Sequence, residues 1–431
     1  MQPQQKPRAP TRHDRTFHHQ RPEYVENSFA RHLADGTLTE DDVGLLREWL
    51  DEITAQNDLS VARANKIAYH MVTWRRFVGP LRTNTVSDLN TGIRTLKTAT
   101  GGRRLFAREM PARIREQGDD QAALAGKPYK RNTIHDMVGL LKRFYLWMIE
   151  NDHSGIEPKK VRAIKVPQKD RMTRTVETIP TPEEVDAIIR ACESPRDRAL
   201  FGMLWDGGFQ IVELGTLTWG QVKFNEYGCA VNVNAKTEFA RYVPLIGSSA
   251  YLAQWRDCYP CQITNDALVF LTRQHRPLNY DVVAVQLRKL ARKAGIAKPL
   301  TLHAFRHGRA TDMIRHGIHE TVVKKVLWGN PASKMLGTYG HLTDVDIDDA
   351  MLASAGVRPR VRTTSTAMDA RECRRCLSVN PPTADLCWRC GSPLTEEVAS
   401  TLEELRREIE KTVEYRTALE AAVKNLADTR S

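Results

Sequence analysis

A mainly α chain is what the sequence predicts: a helical N-terminal domain, a mostly helical second domain with one small β-hairpin, then a zinc ribbon and a long C-terminal helix. Three observations carry that prediction. Apolar residues recur at helical spacing over most of the length. Alternation of β-forming residues is confined to two short runs on either side of one polar turn. Near the end, two Cys-x-x-Cys pairs are followed by a heptad-like apolar seam.

Taken in order, residues 1–22 are rich in Gln, Pro, Arg and His with no hydrophobic stretch, which excludes a secretory signal and reads as a disordered basic arm. Residues 23–153 form the first domain. Leu45, Leu46, Trp49 and Leu50 share one helical face, as do Ile134, Met137, Leu140, Leu141, Phe144, Tyr145 and Met148. Cations interrupt these stripes, among them Arg63, Lys66, Arg75, Arg76, Lys130 and Arg131, and a helical bundle with one basic face suits backbone phosphates. Residues 154–178 carry Gly155, Pro158, Pro167 and an excess of Lys and Arg, the composition of a basic linker. Thr181-Pro182-Glu183-Glu184 restarts a helix, with Thr181 as N-cap, Pro182 at the first helical position and Glu184 closing a capping box. The second domain therefore spans residues 179–357. Within it residues 199–205 read as an apolar helix broken at Gly207-Gly208, a new helix runs through residues 209–214, and residues 230–233 and 241–245 form a hairpin around Lys236. Helices resume from Tyr280.

Residues 370–394 hold Cys373-x-x-Cys376 and Cys387-x-x-Cys390, a spacing that predicts a tetrahedral structural Zn²⁺ held by four thiolates. Metal binding folds such a ribbon, so its expected contribution is shape. Cys258-Tyr-Pro-Cys261 is a lone pair and reads as a loop. Residues 395–428 form the last helix. Leu402, Ile409 and Val423 fall on one seam position and Leu405, Leu419 and Leu426 on the other, with Thr412 and Arg416 as blemishes. Coiled-coil self-association and docking against the ribbon, or another protein, are equal readings of that seam.

Bulk properties narrow the partner. A formal charge of +12 over 431 residues makes a polyanion the natural ligand, nucleic acid before an anionic membrane surface. No apolar run approaches the roughly 20 residues that cross a bilayer. Eight cysteines, four of them in one cluster, fit a reducing cytoplasm better than a disulfide framework.

The chemistry-bearing segment lies between Leu302 and Leu342. His303 and Arg306, three residues apart, share a helix face, and a guanidinium beside an imidazole suits a phosphodiester whose oxygens gain charge during reaction. Tyr339, in Thr338-Tyr339-Gly340-His341-Leu342, offers a phenolic nucleophile. A lone His-x-x-Arg or a lone Tyr is more often structural; order and upstream context give this set its weight. In that context the pattern resembles the tyrosine recombinase (phage integrase) family, over about residues 24–356, with the ribbon and terminal helix as appendages.

The resemblance implies breakage and rejoining of double-stranded DNA through a 3′-phosphotyrosyl intermediate, with no catalytic cofactor and with several protomers in a synaptic complex. Integration or excision of a mobile element is the implied use. Tyr339 matches the nucleophile, Arg306 the second arginine on the non-bridging oxygens, and His303 the histidine that moves the tyrosine's proton. Lys236 matches the hairpin lysine that protonates the 5′-oxygen. The slot for a further hydrogen-bond donor falls on Trp328 or Gly329, and the indole N–H favours Trp328. One departure is large. The family's first arginine sits in a Gly-hydrophobic-Arg-Ile-x-Glu-Leu setting, whereas this chain reads Gly208-Phe209-Gln210-Ile211-Val212-Glu213-Leu214. Gln210 can donate a hydrogen bond but supplies no charge. Arg198 and Arg241 are nearby cations able to compensate. A catalytically impaired DNA-binding accessory protein, and an interaction protein acting through the ribbon and terminal helix, are the alternatives.

Overall fold

A computed structural model describes residues 7–10, 17, 21–57, 59–100, 128–170, 178–233, 240–339, 342–357, 366–411 and 416–421. The chain divides into two compact units, one formed by Gln20–Thr173 and the other by Met1–His19 with Arg174–Ser431.

The first unit is helical: α1 (Tyr24–Ala34), α2 (Glu40–Asn57), α3 (Val61–Trp74), α4 (Val86–Thr98), α5 (Arg131–Glu150) and the short α6 (Pro158–Arg162). Its core is the set of apolar stripes the sequence displays, with Trp74, Leu141, Phe144 and Tyr145 fully buried. Burying tryptophan is tolerable only if its N–H finds an acceptor, and the Trp74 Nε1 donates to the Met137 carbonyl at 3.0 Å, tying α3 to α5. Local chemistry starts α4: the Thr85 hydroxyl accepts from the Asp88 N–H while Asp88 accepts from the Thr85 N–H at 2.8 Å. The stretch expected to be a linker is partly built into this unit. Val161 and Ile164 are buried in its core, because one apolar residue within a one-turn helix and another just after it outweigh the cationic composition around them.

The second unit opens on the expected capping box: the Thr181 N–H donates to Glu184 Oε2 at 2.8 Å and starts α7 (Pro182–Ala191). The central α8 (Pro195–Asp206) is buried along nearly all its length. It ends at Gly207-Gly208, where Gly208 adopts φ +53°, a left-handed turn that favours glycine. Next come α9 (Ile211–Gly215) and a sheet of three antiparallel strands, β1 (Val222–Asn225), β2 (Gly228–Val233) and β3 (Arg241–Leu245). The expected hairpin is β2–β3, in register from Cys229 opposite Leu245 to Val233 opposite Arg241. β1 is additional: it is short and largely exposed, so it lacks the buried alternation that marks a strand in sequence. The helices α10 (Ser249–Asp257), α11 (Tyr280–Lys293), α12 (Leu302–Arg315), α13 (Glu320–Trp328), α14 (Leu336–Tyr339) and α15 (Asp344–Ser354) complete the domain, with α12 packed on α8, α13 and α14.

Part of the N-terminal arm, expected to be disordered, belongs to this unit. Ala9 and Phe17 are buried in its core, the Pro7 and Pro10 carbonyls accept from the Gln262 and Leu268 N–H groups, and the Phe17 carbonyl accepts from the Tyr280 N–H. An isolated phenylalanine in a polar arm carries no periodicity, yet its ring fills space beside the bare Cα of Gly215.

In the ribbon, β4 (Arg371–Glu372) pairs with β5 (Val379–Asn380). It rests on the second unit through the Tyr251–Thr383 hydroxyl contact and through His316, whose Nε2 lies 3.3 Å from Asp369. The final helix, α16 (Glu396–Lys411), leaves Leu402, Leu405 and Ile409 exposed, as is Leu419 beyond it.

Candidate active site and metal centre

Four elements meet around the side chain of Arg306. It lies on α12, in phase with buried Leu302 and Met313, and is itself only 1% exposed. A guanidinium so deep must have its N–H groups met. Nη1 donates to the Gly208 carbonyl at 2.7 Å, and Nη2 donates to the Leu327 carbonyl. Its charged carbon stands 5.5 Å from the centre of the Trp328 ring, within cation–π range. The turn that presents the Gly208 carbonyl needs glycine twice over, since a Cβ there would stand 2.5 Å from the Leu327 side chain. The Leu327 carbonyl and Trp328 close the C-terminus of α13, where Gly329 at φ +73° ends the helix.

Gln210 sits two residues beyond Gly208, at the N-cap of α9 rather than within a helix. Its side chain is exposed, and its backbone N–H donates to Glu213 Oε2 at 2.7 Å. That same carboxylate oxygen lies 2.5 Å from Nη2 of Arg241. Arg241, 3% exposed, then donates through Nη1 to the Val326 and Leu327 carbonyls at 2.8 and 2.6 Å. Both buried guanidiniums thus share the Leu327 carbonyl, at a helix C-terminus whose partial negative charge favours cations.

His303 is exposed on α12, with its ring 5.1 Å from the buried His307 ring in an edge-on arrangement. Tyr339 is the last residue of α14, which packs against α12. Lys236 lies outside the described residues. The structure therefore gathers Arg306, Trp328 and the backbone around Gln210, and sets His303 and Tyr339 on α12 and on the helix packed against it. Of the two cations read as able to compensate for Gln210, Arg198 is engaged elsewhere, with the Cys192 carbonyl and Gln254. Arg241 is a buried cation beside Arg306 that the motifs do not mark. A signal existed: the burial of β3 alternates, and Arg241 is in phase with Val243 and Leu245 on the inward face.

The four ribbon cysteines converge. Their Sγ atoms all lie within 4.8 Å of one another, with Cys373–Cys390 and Cys376–Cys387 each at 3.6 Å. Sulfurs on a tetrahedron with bonds of about 2.3 Å stand just under 4 Å apart, so the quartet fits one metal ion. The Ser392 hydroxyl and N–H stabilise the thiolate of Cys390 and hold its pKa below the usual thiol range. Cys258 and Cys261 join no such cluster among the described residues.

Residues 180–345 match the profile of the phage integrase family. The tyrosine recombinase XerD of Neisseria meningitidis serogroup B is 26% identical over 241 residues, 52% of this chain and 79% of the relative. Transposase A from transposon Tn554 of Staphylococcus aureus is 28% identical over 219 residues, 48% of this chain and 58% of the relative. A crystal structure of a lambda integrase (75–356) dimer bound to a COC′ core site has the same fold, with a TM-score of 0.50 at 15% identity over 69% of this chain and 94% of that one. Residues 180–345 thus carry this chain's similarity to the phage integrase family.

Proposed function

We propose that the protein is a site-specific recombinase that breaks and rejoins double-stranded DNA, acting in the integration or excision of a mobile element. The observation that carries this reading is the buried Arg306 guanidinium, held by two main-chain carbonyls under Trp328 within a domain that matches the phage integrase profile. A guanidinium charge fixed in this way suits a site that receives a phosphodiester.

In this reading Tyr339 attacks the scissile phosphorus. The new bond is from the phenolic oxygen to phosphorus, and the bond to the 5′-oxygen breaks. His303 takes the phenolic proton, and Lys236, a point charge on a flexible stem, delivers a proton to the departing 5′-oxygen. Arg306 and the Trp328 indole N–H hold the non-bridging oxygens as charge builds on them. The reverse sequence, with a 5′-hydroxyl from a second strand, rejoins the DNA. A synaptic complex of several protomers would bring the two duplexes together, with the exposed seam of α16 serving self-association or a protein partner. Basic residues of the Gln20–Thr173 unit would grip backbone phosphates, as a core-binding domain does.

The ribbon quartet Cys373, Cys376, Cys387 and Cys390 is suited to a structural Zn²⁺, given four thiolates at tetrahedral spacing. No helix among the described residues is long and apolar enough to cross a membrane, and eight free cysteines fit a reducing cytoplasm. The accessory-protein alternative is not favoured: its support is Gln210 alone, against relatives that are recombinases and transposases.

The test is strand cleavage of nicked duplexes made from DNA flanking the gene. Tyr339→Phe should abolish cleavage while leaving duplex affinity within a few-fold. Cleavage surviving in Tyr339→Phe would sink the reading.

A further inference from the structure

The ribbon has two unlike sides. Residues 380–382 are buried, Pro382 lies against Gly247 just ahead of α10, and the Tyr251–Thr383 hydroxyl contact ties the same run to that helix. The two Cys-x-x-Cys turns stay outside. The Arg375 and Arg389 N–H groups donate to the Cys373 and Cys387 sulfurs, which turns the backbone of each turn inward and leaves the Arg374, Arg375, Trp388 and Arg389 side chains exposed. Neither turn contains an acidic residue, and among the described residues the three guanidiniums make no hydrogen bond or ion pair. Trp388 is 68% exposed yet fixed in direction. Its Nε1 donates to the Val379 carbonyl at 3.1 Å and its backbone N–H to Asn380 Oδ1 at 3.0 Å, so the ring of the second turn is pinned beside the strand that follows the first. Leu377, 69% exposed, holds φ +57°, where the matching position of the second turn has Gly391 at φ +68°. A leucine in that conformation is strained, and no burial offsets the strain.

We propose that the exposed side of the ribbon binds unpaired DNA, with a base stacked on Trp388 and the flanking phosphates met by Arg374, Arg375 and Arg389. An indole held by its N–H edge offers its faces to another ring, and a base presents a face only where it is not already stacked in a duplex. Guanidiniums from both turns suit phosphate oxygens, and their charge selects a polyanion over an apolar peptide. Leu377 extends the apolar part of the surface beside the ring. The proposal stands on the ribbon alone; strand transfer, as read above, would be one source of unpaired nucleotides.

The experiment uses the full zinc-loaded chain and three probes of about 12 nucleotides: oligo(dT), oligo(U) and a blunt duplex, with a 5-iodouracil at the centre of the oligo(dT) for photocross-linking. Affinity is read by fluorescence anisotropy across a salt series, with zinc content and thermal melting alongside. The native chain should cross-link within the ribbon, at Trp388 or its turn. Trp388→Ala should weaken oligo(dT) binding by about 10-fold or more, on the scale of one lost stacked base, and duplex binding by less than about 3-fold, while Trp388→Phe keeps most of the affinity. Arg374→Gln, Arg375→Gln and Arg389→Gln together should flatten the slope of log affinity against log salt by about 2, at about 0.7 per lost phosphate contact. Leu377→Gly should lower oligo(dT) affinity with zinc content unchanged, because glycine adopts that backbone without strain. Unchanged oligo(dT) affinity in Trp388→Ala, or equal losses on oligo(dT) and duplex, would overturn the proposal. So would oligo(U) binding about 10-fold tighter than oligo(dT), which would assign the surface to RNA. Should Trp388→Ala lose zinc, the cross-link decides, and an adduct outside residues 370–394 contradicts the proposal. A triple arginine variant that loses zinc with its salt dependence unchanged would show cations that only balance the thiolates, which also overturns it. The probes carry no scissile nick, so failure here leaves the strand-transfer reading standing.

Discussion

Arg75 in the N-terminal unit and Arg306 in the second unit are both withdrawn from water, but they are held in different ways. Arg75 donates through Nε to Asp42 at 2.9 Å and through Nη1 to the Val78 carbonyl at 2.7 Å. Asp42, whose side chain is 0% exposed, also accepts the Leu81 and Thr39 N–H groups at 2.6 and 2.9 Å. One cation meets one anion, and the surrounding N–H groups close the arrangement. Around Arg306 the Gly208 and Leu327 carbonyls accept from the guanidinium, and the neighbouring Arg241 pairs with Glu213. A buried ion pair is a finished structural tie, whereas carbonyl dipoles orient a guanidinium without cancelling its charge. That contrast separates a brace from a binding site more sharply than burial alone.

The largest effect should come from the Arg306 side. In the proposed reading Arg306→Gln removes the charge that holds the phosphate and should slow cleavage by roughly 10³–10⁵-fold, about 4–7 kcal/mol in the barrier, with duplex affinity changed only a few-fold. Single-turnover cleavage on the nicked duplex measures it, and a loss below about 10-fold would contradict the role.

How much of this was visible in the sequence follows from how local each feature is. The Thr181–Glu184 capping box, the His303–Arg306 helix face and the two Cys-x-x-Cys knuckles are each complete within a few residues, and the structure builds the first two on helices and gathers the four cysteines. Features made by distant partners were not legible. Arg241 meets carbonyls 85 and 86 residues away, so nothing beside it in the chain announces its place. Phe17 is buried against elements some 200 residues or more further on, and composition alone made its surroundings a loose arm. Gln210 was legible as a departure, because the residues on either side of it match the motif.

Breaking the finished side should cost stability instead. Asp42→Ala strands Arg75 and the Leu81 N–H, which should destabilise the Gln20–Thr173 unit by about 3–5 kcal/mol in denaturant unfolding. The cleavage rate of the folded fraction should not change. A loss under about 1 kcal/mol would show that the pair is no brace.

A smaller effect sharpens the comparison through pH. Burial pushes the His70 imidazole of the first unit down to about 4. The unfolded chain takes up that proton near pH 6.5 and the folded one does not, so the first unit should lose up to about 1.4 kcal/mol per pH unit between pH 6.5 and 4. In the second unit the Asp312 side chain, with Asp369 beyond it, holds His316 up at about 9. Its contribution is complete below pH 6.5 and fades as pH rises toward 9, so acid should loosen the first unit while alkali loosens the contact between α12 and the Asp369 segment. Hydrogen exchange of the full chain at pH 5, 7 and 9 follows both, with His70→Phe and His316→Gln as controls. The same protection profile at all three values would refute the assignment.

The most direct measurement is the chemical identity of the trapped intermediate. Native protein would be reacted with a nicked suicide duplex, digested with nuclease and protease, and the adduct located by mass spectrometry. The expected adduct is a nucleotide joined through its 3′-phosphate to the oxygen of Tyr339. An adduct on another residue, a linkage through the 5′-phosphate, or cleavage without any adduct would contradict it.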